Sequence, residues 1–391
     1  MFLRVVCFIS LFVFTSCASS KIEISKVVGN FNVTKTFIPN SQNVKMIGRS
    51  FFEENLLWLI YSGTGCEFYI NAHRLDIVFA GDDVTKNNPN EIENPARVIV
   101  LVNGQRYLDE LIFQEEQVFT IFNEEKIIEG VVQVIKISEA IYSSVGIKSL
   151  ATDVDGIIYP TEERQVKMEF IGDSITCGYG IDDEFFFHNF STSTEDVTKT
   201  YAFKTANRLN ADYSFVCLSG WGIISGYTNN SIKNAEFVLP KYYEKMGFSY
   251  NSMLSEYPQQ MNWNFNNFCP DIIVINLGTN DFSYCKKDAE RLVEFENAYI
   301  EFLRKIRKLN PNAYILCTIE IMGDDLFENI QNAVTKFLLE SNDEKIGTFC
   351  FESASLMDGL AADFHPTERT NEKAANALIK KIESLGLLQK N

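Results

Sequence analysis

The sequence predicts an α/β protein: a three-layer α/β/α domain on a parallel sheet, preceded by a β-sandwich. Three observations predict it. From Gln165 onward, short apolar runs alternate with segments whose apolar residues recur every three or four positions, the succession that folds as strand, crossover helix, strand. Before Glu162 that period is missing, and short β-branched and aromatic runs are separated by turn signals. Finally, Val166-Lys-Met-Glu-Phe-Ile reads as a strand entering a buried sheet, and it runs into Gly172-Asp-Ser174 with Gly178 and Gly180 just beyond. A serine so placed stands at the carboxyl end of a strand, where open α/β sheets bind ligands.

The chain divides into residues 1–20, an export signal; 21–162, the β-sandwich; and 163–391, the α/β domain. Arg4 precedes an apolar run from Val5 to Phe14 that is too short to span a bilayer. Small residues follow, and Phe14-Thr-Ser-Cys17 resembles a bacterial lipobox with Cys17 as the lipidated residue. Plain secretion, with cleavage near Ala18 to Ser20, is the alternative. The expected location is secreted, periplasmic or cell-surface, with membrane contact only through a lipid on Cys17. A net charge of −17 leaves no electrostatic footprint for a phosphate backbone, so nucleic-acid binding is set aside.

Within the β-sandwich, strands are expected over 56–61, 67–72, 74–79, 97–102, 118–122 and 130–137, and no helix is expected. Asn103-Gly104 between two such runs signals a two-residue hairpin. Asn87 to Pro95 reads as an exposed loop. In the α/β domain, Val197, Tyr201, Thr205 and Leu209 mark a helix after the serine strand. Further strands are expected over 213–218, 272–277, 314–319 and 346–351, with helices over 292–309, 325–340 and 370–384. Gly226 to Asn262 is an aromatic, asparagine-rich insertion of the kind that shapes a pocket.

Four stretches of this domain follow strands on one edge: Ser174 in its turn, Leu218-Ser-Gly-Trp-Gly222, Leu277-Gly-Thr-Asn-Asp281, and Asp363-Phe-His-Pro366 before the last helix. Together they supply an acyl-transfer site. A neutral serine needs a base within hydrogen-bond reach. Of three histidines, His73 lies in the β-sandwich and His188 in a phenylalanine-rich loop, which leaves His365. The oxyanion formed by attack on an ester needs preorganised donors, and the N–H groups of Ser174 and Gly220 with the Asn280 amide offer three. Each stretch taken singly is ordinary turn chemistry; their joint order along one sheet edge is what points to catalysis. The seven cysteines beyond the signal are odd in number and scattered, with no Cys-x-x-Cys pair; Cys217 and Cys317 read as buried thiols rather than disulfide or metal partners, and one or two disulfides stay open.

These blocks resemble the SGNH hydrolase superfamily, with Ser174, Gly220, Asn280 and His365 standing for its letters. Glu169 to Gly180, Tyr201-Ala-Phe, Leu239-Pro-Lys-Tyr-Tyr243 and Asp271 to Asp281, behind a leading β-domain, are similar to carbohydrate esterase family 2. That resemblance implies a jelly-roll domain packed on an SGNH domain. It also implies removal of acetyl groups from plant polysaccharides such as xylan and glucomannan, with no metal or other cofactor. One departure concerns the base. The family's aspartate three residues before the histidine is replaced by Ala362, and the nearest acid is Asp363. The resemblance implies a Ser–His dyad with a backbone carbonyl holding the imidazole; the Asp363 carboxylate is the alternative. It also implies that Phe364 stacks on the sugar. Trp221 and Trp263 are weaker aromatic candidates; for all three the alternative is a core role, the reading favoured for Trp263. Two other functions stay open: an SGNH lipase or thioesterase for longer acyl chains, and a carbohydrate-binding protein without chemistry.

Overall fold

The computed structural model describes residues 34–87, 92–319, 321–323 and 325–388. The signal, Cys17 and part of the loop expected over 87–95 lie outside the described residues. Among those described, no helix is long and apolar enough to cross a membrane, and Cys66, Cys177, Cys217, Cys285 and Cys317 are buried thiols.

The N-terminal part holds β1 (Thr34–Phe37), β2 (Lys45–Ile47), β3 (Ser50–Glu53), β4 (Leu56–Leu59), β5 (Gly65–Gly81), helix α1 (Asp83–Asn87), β6 (Ala96–Val102), β7 (Gln105–Ile112), β8 (Glu116–Lys136), β9 (Val145–Asp153) and β10 (Ile157–Pro160). These strands form one antiparallel hydrogen-bonded network around a core that includes Phe68, Ile77, Phe79, Val98 and Ile147. The Asn103-Gly104 hairpin joins β6 to β7.

Two expectations are corrected here. The runs over 67–72 and 74–79 are one strand, as are 118–122 and 130–137. A register shift between Ala72 and Arg74 changes the inward positions from Phe68, Ile70 and Ala72 to Leu75, Ile77 and Phe79. One extra residue flips the alternation, which in a sequence looks like a break. The short helix α1 was not expected either.

The second part contains β11 (Val166–Gly172), α2 (Ser174–Cys177), α3 (Tyr201–Arg208), β12 (Ala211–Cys217), β13 (Ile272–Asn276), α4 (Thr279–Cys285), α5 (Ala289–Leu309), β14 (Tyr314–Ile319), α6 (Phe327–Ser341), β15 (Ile346–Cys350) and α7 (Glu368–Ser384). The sheet is parallel in the order β12-β11-β13-β14-β15. Alternate residues of each strand serve opposite faces. Ile273 and Ile275 pack with Phe295, Tyr299 and Ile306 of α5 and Ile330 and Phe337 of α6. Ile272 and Val274 share the other layer with Tyr201 and Ala206 of α3 and Ala375, Leu378 and Ile382 of α7. The three layers follow from that alternation. Helix α3 starts later than its periodicity suggests, because Val197 lies in a preceding 3₁₀ turn and the Thr200 hydroxyl caps the helix by accepting from Phe203 N–H.

The two parts are joined through buried charge. Arg49, following β2, is fully buried; it donates to the carbonyls of Tyr243 and Lys245 and to Glu169 of β11, and lies over the rings of Tyr243 and Trp263. The insertion from Gly226 to Asn262 closes around this guanidinium.

Candidate active site

The strand order places β12 on one side of β11 and β13 on the other, and the chain reverses direction across the sheet at that point. The carboxyl ends of these three strands deliver Ser174, Gly220 and Asn280 to one crevice.

Ser174 is the first residue of α2. Asp173 caps that helix in extended conformation, its carboxylate accepting from Ile175 N–H at 3.1 Å and its carbonyl from Thr176 N–H and Cys177 N–H at 3.0 Å. After one turn, Gly178 at φ +88° ends the helix by donating back to the Ser174 carbonyl. The serine is thereby fixed on a short, tightly capped turn.

His365 lies 191 positions later, and its Nε2 stands 2.8 Å from Ser174 Oγ. Its Nδ1 faces two backbone carbonyls, Ala362 at 3.1 Å and Asp363 at 3.2 Å. Two acceptors at Nδ1 require the proton there, which leaves the Nε2 lone pair for the serine hydroxyl. The 3₁₀ turn Ala362–Phe364 makes this possible, with Asp363 and Phe364 both at positive φ (48° and 64°), so that consecutive carbonyls converge on the ring. Desolvation lowers the His365 pKa from 6.5 to about 4, against the opposing pull of the two carbonyls and the Asp363 charge. The base is neutral at physiological pH.

The Asp363 carboxylate itself is elsewhere. It accepts from the Tyr179 hydroxyl at 2.7 Å and makes no bond to the imidazole, so its side chain is not the orienting acid. Its backbone carbonyl takes that place.

Opposite the base, neither Ser174 N–H nor Gly220 N–H has an acceptor among the described residues. The Gly220 loop is pinned by Asp281 of α4, whose carboxylate accepts from the N–H groups of Ile223, Ile224 and Ser225 at 2.7–3.1 Å. Burial pushes Asp281 up to about 6 despite those donors. Asn280 departs from expectation: its amide nitrogen donates to Asp173 Oδ2 at 3.1 Å and to the Trp221 carbonyl at 3.0 Å, which occupies both hydrogens. In this state it braces the serine turn against the Gly220 loop. Asp173, enclosed and facing Asp281, is raised to about 7, chiefly by desolvation.

The aromatic candidates separate. Phe364 is 56% exposed beside Phe186, at a ring distance of 5.0 Å. Trp221 is 1% exposed, packed on Phe237, Tyr242 and Phe248, so its expected sugar contact is replaced by a core role. Trp263 is also buried. His73 faces the Glu124 carbonyl and His188 pairs with Asp183, both away from the serine. Tyr179 was not singled out from the sequence. It stacks on His365 with centroids 4.1 Å apart, and only its place five residues after the serine hinted at such a part.

Comparisons with known proteins bear on the fold and the family. Over 354 residues the chain is 23% identical to the acetylxylan esterase/glucomannan deacetylase of Cellvibrio japonicus, covering 90% of this chain and 91% of that protein. It is 30% identical over 222 residues to the cellulase/esterase CelE of Acetivibrio thermocellus, covering 56% of this chain but 25% of that much longer protein. The acetyl xylan esterase Est2A from the rumen bacterium Butyrivibrio proteoclasticus superposes with a TM-score of 0.81 at 25% identity, over 91% of this chain and all of that one. Residues 170–373, which carry every strand-end block of the crevice, match the model of one family. The chain belongs to the GDSL-like lipase/acylhydrolase family.

Proposed function

We propose that this protein is a carboxylic ester hydrolase that removes O-acetyl groups from plant cell-wall polysaccharides, xylan and glucomannan in particular. The observation that carries the reading is the Ser174–His365 contact, with Nε2 at 2.8 Å from Oγ and Nδ1 held by two carbonyls. The names of the relatives supply the substrate class.

His365 Nε2 takes the proton as Ser174 Oγ attacks the acetyl carbonyl. The oxyanion rests on the Ser174 and Gly220 N–H groups, and Asn280 joins them by releasing one of its two present acceptors. His365 returns the proton to the sugar oxygen as the C–O bond breaks. Water, deprotonated by the same nitrogen, then attacks the acetyl-enzyme and frees acetate and Ser174. No step asks for a metal or other cofactor. Phe364 offers a flat apolar face to a pyranose at the mouth. An exported, cell-surface or secreted enzyme fits a polymeric substrate, and Met1 to Ser20 supports that placement, with Cys17 as a lipid attachment point.

The test is acetate release from acetylated xylan and glucomannan by the full chain and by Ser174→Ala, with a long-chain aryl ester alongside. Release lost in the variant, with little long-chain cleavage, is expected. Preferential long-chain cleavage would move the assignment to a lipase, and polysaccharide binding without turnover to a binding protein.

A further inference from the structure

We propose that Glu139 is a positioning residue for oxyanion stabilisation: a carboxyl group from the β-domain side of the molecule that fixes the direction of the Gly220 N–H. The proposal rests on the esterase reading above and goes beyond it.

Glu139 lies three residues past the end of β8 and is fully buried. Its Oε2 accepts from Ser219 N–H at 3.0 Å, one peptide before the Gly220 donor. The residue is locked from its other sides: its own N–H donates to Glu195 Oε2 at 2.8 Å, and its carbonyl receives the buried Lys136 ammonium, also at 2.8 Å. The remaining oxygens, Glu139 Oε1 and Glu195 Oε1, are buried without a hydrogen-bond partner among the described residues. Together with the thiol of Cys177 these side chains bring their polar atoms within 4.8 Å of one another.

Two enclosed carboxyl groups this close disfavour each other's charge. Burial accordingly pushes Glu139 up to about 7 and Glu195 well above its ordinary value. Cys177 ends the helix that begins at Ser174, and Asp196, next to Glu195, donates to the Gly178 carbonyl at 3.3 Å. The acid pair therefore lies beneath both segments that carry a free oxyanion donor. The bond to Glu139 anchors the Leu218–Ser219 peptide, the plane from which the Ser219–Gly220 peptide and its donor are hung, and a donor that turns away loses its worth in the transition state.

The experiment uses the full chain with 4-nitrophenyl acetate, active sites counted by titration with an aryl phosphonate, and inhibition by phenylboronic acid as a tetrahedral mimic. Glu139→Gln keeps an oxygen at the same reach; Glu139→Asp keeps the acid but withdraws it by one methylene; Glu139→Leu removes the acceptor. The expected result is kcat per titrated site within about threefold of wild type for Gln. For Asp and Leu, kcat should fall about tenfold or more, with KM held within about twofold and boronate binding weakened in step. Should Leu fail to fold, Asp against Gln still decides. An Asp variant with wild-type kcat per titrated site overturns the proposal, as does a Gln variant that loses as much as Asp. A stoichiometric divalent metal in the purified protein, whose removal abolishes activity, would make the carboxyls ligands and overturn it as well. A wild type inert to both ester and phosphonate would instead sink the esterase reading, and this proposal with it.

Discussion

Tyr179 lies flat against His365, ring centroids 4.1 Å apart, while its hydroxyl holds the carboxylate of Asp363 at 2.7 Å. The phenol thus keeps the nearest acid away from the imidazole while covering the ring. Phe190 stacks on the far side of Tyr179 at 4.3 Å, so the base is backed by a column of rings rather than by a charge.

Where an aspartate orients the base, its loss costs about 10⁴ in kcat. Here Asp363→Asn should lower kcat by less than about tenfold, since the backbone carbonyls remain, while Ser174→Ala and His365→Ala each remove about a thousandfold or more. Steady-state kinetics on an aryl acetate decide it. Equal losses in Asp363→Asn and His365→Ala would mean that the carboxylate swings to the ring during turnover.

The pH dependence follows from the His365 shift. Its pKa falls from 6.5 to about 4 on folding, so the acid limb of kcat/KM should lie well below that of a free imidazole. Between those values the unfolded chain binds a proton that the folded chain does not. The stability contribution is therefore complete above the unfolded value and is lost as pH falls through the folded one. Urea midpoints measured across this range should fall less steeply in His365→Ala than in wild type. Tyr179→Ala, which uncovers the ring, should move the kinetic limb upward, and Tyr179→Phe, which keeps the stack, should not.

Phe364 and Trp221 should respond oppositely. Phe364→Ala is expected to raise KM for polysaccharide several-fold, leaving aryl acetate kinetics and melting temperature unchanged, because the ring is exposed. Trp221→Ala should destabilise by about 3–5 kcal/mol, the cost of emptying an aromatic site in a core. Calorimetry and polysaccharide kinetics on both variants separate the roles, and a stable Trp221→Ala with weakened polysaccharide binding would reverse them.

Two glycines differ in what surrounds them. At Gly178, φ +88°, a Cβ would meet the Asp196 carbonyl oxygen at 2.6 Å, so alanine collides with backbone. At Gly220, φ +79°, a Cβ would meet nothing within 4 Å, so alanine carries only the left-handed penalty, about 1–2 kcal/mol. Gly178→Ala should therefore show the larger loss in urea midpoint. Gly220→Ala should remain folded and lose kcat if the added methyl turns the N–H.

The legible part of this molecule was the part governed by local pattern. The all-buried strand Ile272–Asn276 and the stripe from Phe295 to Ile306 declare themselves by spacing, and they set the layers that bring Ser174 to His365. Strand β5 hid its continuity because a register shift breaks the very alternation by which strands are found. Trp221 was a weaker aromatic candidate for a sugar platform, but the side chain's direction depends on Phe237, Tyr242 and Phe248, which arrive from the insertion. Asp363 illustrates the same limit. Its distance from His365 along the chain was plain, whereas the positive φ that aims its carbonyl, and not its carboxylate, at the ring is a tertiary outcome.

Arg49 bears on how this protein can be cut. Its guanidinium enters the heart of the second half and meets Glu169, five residues before the nucleophile, with Tyr243 O–H on the other carboxylate oxygen at 2.6 Å. A fragment starting at residue 163 would strand that carboxylate in an apolar interior and empty the space the insertion wraps around, the costliest way to break a buried pair. A chain trimmed at the linker is therefore expected to be less stable than the whole protein, with a lower urea midpoint.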